Sequence, residues 1–182
     1  MSDASRENRS EYYLNLIGKE DFNNVRPSLD GLPTKLELKY LTMEALSPEG
    51  GYGFVLKSTS VTADDREYLE GQIEGNAIRC SGSHFSEGDK GELRITLKSE
   101  KVNRVRFAVD AINHNSVSAY KYFDKAGKEL GSIDSHGGWI DFQLSPEESE
   151  QTSIGYVSVF LTVNIVGPLV DSLEMWRWNA YS

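Results

Sequence analysis

VRFAVDAI (105–112), NHNS (113–116), VSAYKYF (117–123), DKAGKE (124–129), LGSI (130–133), SHGG (135–138), WIDFQL (139–144), VSVFLTVNIV (157–166) and LVDSLEMWRW (169–178) follow one another with little between them. Within each apolar run, polarity alternates with a period of two. Each break is built from Asn, Asp, Gly, Ser or His, residues that accept turn conformations. Alternation of this kind places one side of a strand inside and the other outside, and short turns join such strands into antiparallel sheets. Long helical periodicity is missing; SPEESEQ (145–151) alone predicts a helical turn, with Ser145 as N-cap and Pro146 at the first helical position.

Outward from this block, GELRITLKS (91–99) reads as a strand with Leu93, Ile95 and Leu97 on one face. KLELKYL (35–41) reads as a single strand with Leu36, Leu38 and Tyr40 on one face and Lys35, Glu37 and Lys39 on the other. FVLKSTSV (54–61) is a further strand. EYLEGQIEG (67–75) and NAIRCSG (76–82) read as two short strands within an irregular segment, Thr62 to Gly91. YYLNLI (12–17) is an apolar run too short to assign, GKEDFNNVRPSLDGLP (18–33) reads as a loop, and SPEGGYG (47–53) as a turn. The expected organisation is a loose tail over residues 1–11 and a single domain over 12–182. The expected fold class is all-β, an antiparallel two-sheet β-sandwich of jelly-roll type. A closed up-and-down barrel is the alternative, but connections alternate between tight and long, as crossovers between two sheets require. Phe107, Val109, Phe142, Leu144, Val157, Val159, Leu161, Val163 and Ile165 are the expected core. On the last strand Trp176 and Trp178 share a face, and burial of that face is expected over exposure.

The 182 residues carry 19 Lys and Arg against 28 Asp and Glu, a net charge of -9. That balance disfavours nucleic acid, whose binding needs clustered cations, and anionic membrane surfaces for the same reason. No apolar run approaches the roughly 20 residues of a membrane-spanning helix, so no membrane insertion is expected. Cys80 is the only cysteine, which excludes an intrachain disulfide framework. The polar opening MSDASRENRSEYY does not read as a signal peptide, and the expectation is a soluble protein, cytoplasmic or exported by a signal-independent route. No HExxH, GxSxG, Walker or GxGxxG pattern is present. Cys80 with His84 lacks a third orienting group, so a buried thiol is the simpler reading. A non-enzymatic role is expected.

EDF (20–22), GYGF (51–54), VRFAVDA, YKYFDKAGKEL, the Trp-led WIDFQL and VDSLEMW (170–176) together resemble the bacterial jelly-roll domains related to carbohydrate-binding modules and lectin-like domains. Thr62 to Gly91 matches no part of that pattern. The resemblance implies a sandwich that binds a glycan and holds a structural calcium ion between its first and last strands. Glu20, Asp21 and Asp171 would supply the metal's carboxylates; the alternative is that the first two cap a turn and Asp171 ends a strand. Sugars stack their C–H faces on aromatic rings and give their hydroxyls to planar polar groups. GGYGF with Tyr52, NHNS with Asn113, His114 and Asn115, and SHGGW with His136 and Trp139 combine these residue types, and Tyr120 and Tyr122 share one face of their strand. The bland reading of the same residues is turn chemistry for the Asn, Gly and His breaks and packing for Trp139. The alternatives to a glycan-binding module are a protein-interaction or structural subunit of a secreted or toxin-like assembly, binding a protein partner or itself through Trp176, Trp178 or a sheet edge, and a polysaccharide-active enzyme.

Overall fold

The computed structural model describes residues 12–25, 34–46, 54–82, 90–110, 117–135, 137–162 and 167–181. These form strands β1 (Tyr12–Glu20), β2 (Lys35–Glu37), β3 (Leu41–Leu46), β4 (Phe54–Val61), β5 (Gly75–Gly82), β6 (Lys90–Leu97), β7 (Arg104–Asp110), β8 (Val117–Phe123), β9 (Glu129–Ile133) and β10 (Gly138–Gln143). A short helix α1 (Pro146–Gln151) and strands β11 (Tyr156–Thr162) and β12 (Leu169–Ala180) complete the set. One sheet runs β2-β3-β6-β11-β8-β9; the other runs β10-β7-β12-β5-β4, with β1 also paired to β12. All these pairings are antiparallel. The all-β two-sheet sandwich is therefore the observed architecture, and α1 starts at Ser145 with a capping box to Glu148, as its sequence predicts.

Between the sheets lie Phe107, Val109, Leu144, Val157, Val159 and Leu161, all buried, with Phe142 partly buried against them. Val163 and Ile165 lie outside the described residues, as do the tail 1–11 and the SPEGGYG turn. Gly167 brings the chain so close to the Cys80 carbonyl that a side chain there would overlap it.

Four expectations need correction. KLELKYL is a hairpin: the Leu38 N–H donates to the Leu41 carbonyl at 2.9 Å and closes a loop at Lys39-Tyr40. The alternation runs on through this turn without Gly, Pro or Asn, which hides it; β3 then buries Leu41, Met43 and Ala45. Gly18–Glu20 extends β1, with a register shift between Leu16 and Gly18, and is not loop. EYLEGQIEG is not a strand: it belongs to an excursion over residues 62–74 pinned by a Leu69–Ile73 bridge. Tyr120 and Tyr122 are fully buried, Tyr122 stacked on Phe142 at 4.2 Å, so neither ring offers a ligand surface.

The excursion covers part of the outward face of the β10-β7-β12-β5-β4 sheet. Val61, Ile73, Ala77, Ala108 and Leu169 form a second buried cluster there, with Tyr68 and Trp139 packed against it. Small Ala77 and Ala108 leave room for the covering side chains. Asp65 ties the excursion's first turn by accepting from the Thr62 N–H at 2.6 Å and its hydroxyl at 2.9 Å. Glu67 anchors it to Arg79 at 3.3 Å.

Val159→Asp would bury a carboxylate without a partner and is expected to cost more than about 3 kcal/mol. Lys57→Asp, on the exposed side of β4, is expected to move the urea midpoint little. Equal shifts in the two midpoints would contradict the face assignment.

Candidate functional site

Beside the excursion, no described residue covers the outward face of β10, β7, β12 and β1. Ile140, Val105, Phe107, Leu173 and Met175 belong to the core, so alternation turns their neighbours outward. Directly paired residues make two rows across the four strands: Gln143–Arg104–Trp176–Leu16 and Asp141–Arg106–Glu174–Lys19. At the usual strand spacing each row is about 14 Å long. Trp176 and Trp178 thus face away from the core, against expectation, because Leu173 and Met175 take the inward positions of β12.

Arginines back onto two of the three tryptophans of this face, Trp176 and Trp139. The Arg104 guanidinium lies 4.6 Å from the Trp176 ring centroid and grips Asp141 with two hydrogen bonds of 2.8 and 2.5 Å. That carboxylate raises the Arg104 pKa further. The Arg106 guanidinium lies 3.8 Å from the Trp139 centroid. Glu174 faces Lys19 at 3.6 Å. A guanidinium held over an indole gains cation–π attraction and loses little entropy when its planar fork is used. Trp178 has a structural role: its indole N–H donates to the Leu144 carbonyl at 2.8 Å and its backbone N–H to Asn103 at 3.0 Å. Leu16, 49% exposed, leaves an apolar spot beside Trp176.

A second feature lies where β12 changes partner. β5 pairs with β12 at Leu169 and Val170, and β1 takes over the same edge from Leu173. Between them Ser172 takes a left-handed φ of 52° and Asp171 is 1% exposed. The Asp171 carboxylate accepts from the Glu74 N–H at 3.1 Å and the Ser172 N–H at 2.6 Å. Burial, then the nearby charges of Asp21 and Glu74, push its pKa up to about 7 against the lowering effect of those N–H donors. Phe22, itself at φ 56°, is buried in the core next to Asp21. Asn23 accepts from the Asn76 N–H at 3.0 Å, docking this corner on β5.

The structure therefore brings Asp21 and Asp171 together, with Glu74 as a third charge that sequence reading missed. Glu20 stands elsewhere: it pairs with inward-facing Leu173 and feels Lys39, and burial followed by the Asp21 charge raises its pKa. Tyr52, Asn113, His114, Asn115 and His136 lie outside the described residues, as does His84. Among the strand ends that flank these segments, Val109 pairs with Gly138 and Val117 with Leu161. Trp139 is on the sheet face and not with a loop. Cys80 is buried and its thiol is pushed up to about 12, which makes it a poor nucleophile. Arg104, Arg106, Asp141 and Glu174 were missed as a group; the alternation of VRFAV and WIDF carried the signal, since their charged positions share a face with Trp139.

No protein-family model and no curated protein matches this chain. Among solved structures it is similar to the K1 cleaved adhesin domain of Lys-gingipain from Porphyromonas gingivalis W83, at 12% identity and TM-score 0.45, over 90% of this chain and 98% of that one. It is also similar to the carbohydrate-binding module CBM27-1 of Caldicellulosiruptor saccharolyticus, solved with mannohexaose, at 17% identity and TM-score 0.40, over 67% and 81%. A mutant lectin binding domain of lectinolysin, complexed with Lewis b, matches at 15% identity and TM-score 0.39, over 72% and 98%. Carbohydrate-binding modules and a lectin-binding domain are thus among the structures this chain is similar to, while its two-sheet architecture is established by its own strand pairing.

Asp171 makes stability depend on pH in a definite direction. Its folded pKa lies above its ordinary value, so between about pH 4 and 7 the folded state holds a proton that the unfolded state releases, and stability from this group falls as pH rises through that window. In chelator, Asp171→Asn is expected to be more stable than wild type at pH 8, by on the order of 2–4 kcal/mol, and close to it at pH 4. Urea titrations at both pH values check this; a variant less stable at pH 8 would contradict it.

Proposed function

We propose that this chain is a non-catalytic carbohydrate-binding module that holds a glycan across the outward face of β10, β7, β12 and β1. The observation that carries the reading is the pair of tryptophan-backed arginines, Arg104 on Trp176 and Arg106 on Trp139, set among Asp141 and Glu174. A sugar hydroxyl both donates and accepts, so alternating guanidinium donors and carboxylate acceptors at strand spacing suit a run of diols. Indole edges and Leu16 suit the C–H faces between them. Rows of about 14 Å suit several pyranose rings in line more than a single one. Tyr52, Asn113, His114, Asn115 and His136 remain part of the proposal as further ligand contacts.

Ion pairing supports a binding role over a catalytic one. Glycoside hydrolysis needs a carboxyl that stays protonated near neutrality beside one that does not. Asp141 and Glu174 are instead each taken up by a protein cation, Arg104 and Lys19. Asp171, raised to about 7, is sealed from solvent and could not reach a bound sugar.

The structural calcium is likewise proposed. Asp21 and Asp171 offer two charged oxygens where β1 and β12 join, and their mutual repulsion is what a divalent cation would relieve. Among the described residues no three His, Cys, Asp or Glu side chains converge as a metal site. Backbone carbonyls would have to complete the six to eight oxygens that calcium takes. Bound there, the ion would neutralise the buried Asp171 and the exposed Asp21 and fasten β1 to β12.

Two outcomes are expected. On a glycan array the protein binds, and Trp176→Ala weakens the best ligand by roughly tenfold or more while circular dichroism stays β-dominated; full affinity in that variant would refute the face as the site. Calcium raises the melting temperature with concentration, chelator lowers it, and Asp171→Asn blunts the response. A melting curve indifferent to calcium and chelator would remove the metal from the account.

A further inference from the structure

The outward face of β10, β7, β12 and β1 carries three cations, Lys19, Arg104 and Arg106. Lys19 faces Glu174, and Arg104 is held by both oxygens of Asp141. Arg106 is different. Asp141 and Glu174 stand directly opposite it on the flanking strands, yet the former turns both oxygens to Arg104 and the latter leans to Lys19. Among the described residues the Arg106 side chain makes no salt bridge, and it rests on the Trp139 ring. In a chain with 28 acidic residues against 19 basic ones, a half-buried arginine left without a carboxylate at the centre of an open face has an unused, oriented fork. A planar guanidinium fixed by stacking is matched in geometry to a carboxylate, which it grips through two parallel N–H donors.

We propose that Arg106 selects glycans that carry a carboxylate, that is, uronic-acid-containing oligosaccharides, over neutral ones. This rests on the reading of the face as a glycan surface and names the class of sugar it takes. The ligand carboxylate lies against the outer edge of the Arg106 fork, with the neighbouring ring over the Trp139 edge. Hydroxyls of adjacent sugars fall to Asp141 and Arg104. Two carboxylates close by keep the local field nearly balanced, so recognition depends on the geometry of the fork more than on net charge. Weakening by salt should accordingly be moderate.

The test is calorimetric binding of short oligosaccharides of alginate, polygalacturonate and hyaluronan, each against its carboxyl-reduced counterpart, with mannohexaose, cellohexaose and xylohexaose alongside. At least one acidic member is expected to bind roughly tenfold or more tightly than its reduced form. Arg106→Gln should abolish that preference while leaving the melting temperature in place; since Arg106 also offers donors to hydroxyls, binding of reduced and neutral glycans should weaken, but by much less than binding of the acidic parent. Arg106→Lys, which keeps the charge and loses the fork, should restore only part of the preference. Reduced forms that bind as well as their parents would overturn the proposal and leave the glycan reading standing. An equal fold-loss of acidic and reduced ligands in Arg106→Gln would also overturn it, since the guanidinium would then serve sugar hydroxyls and not a carboxylate. Binding to none of the probes would count against both the proposal and the reading beneath it.

Discussion

Strand β12 pairs with β7 along one edge and divides its other edge between β5 and β1. Both run antiparallel to β12 and succeed one another along that edge, with the handover at Asp171 and Ser172. At the handover the chain has a left-handed Ser172 and a register shift between Asp171 and Glu174 against β7. Where the strand partner is lost, the Asp171 carboxylate takes the Glu74 N–H instead. A buried backbone donor must find an acceptor, and a carboxylate can reach it across the gap. The cost is a charge under cover, close to Asp21 and Glu74, and that cost appears as the raised Asp171 pKa.

The same shift sets what the outward face shows. A one-residue slip in a strand exchanges its inner and outer side chains. After the shift, Leu173 and Met175 face the core and Glu174 and Trp176 face out, opposite Arg106 and Arg104. The excursion over 62–74 ends at Glu74, so its root is held by the hydrogen bond that repairs the junction. It covers Ala77, Ala108 and Leu169 and stops at Trp139. The junction therefore determines both which residues form the open rows and where the covered part begins.

Much of this was legible in the sequence, for physical reasons that differ by element. GELRITL and VSVFLT alternate cleanly because each lies mid-sheet with one face in the core, and both were read with the right face inside. SPEESEQ was readable because a capping box is local chemistry. The Lys39-Tyr40 turn was hidden because its residues continue the polar–apolar alternation of the strands on either side. The orientation of Trp176 was hidden because the shift at Asp171–Glu174 is imposed by β7 and β1, not by nearby residues. Tyr120 and Tyr122 resembled a ligand platform because tyrosine is ambiguous between core and surface, and only the opposing sheet, through Phe107 and Phe142, decides. Glu74 escaped notice because its tie to Asp171 spans 97 residues.

The chain has three tryptophans, Trp139, Trp176 and Trp178, so three indole N–H signals report on the face with little overlap. Titrating the isotopically labelled protein with a glycan that binds, and following these signals by NMR, tests the central claim directly. The Trp139 and Trp176 signals are expected to shift together with the Arg104 and Arg106 side-chain resonances, while Trp178, held by the Leu144 carbonyl, moves least. Saturation by the glycan with Trp139 and Trp176 unmoved would place the ligand elsewhere and contradict it.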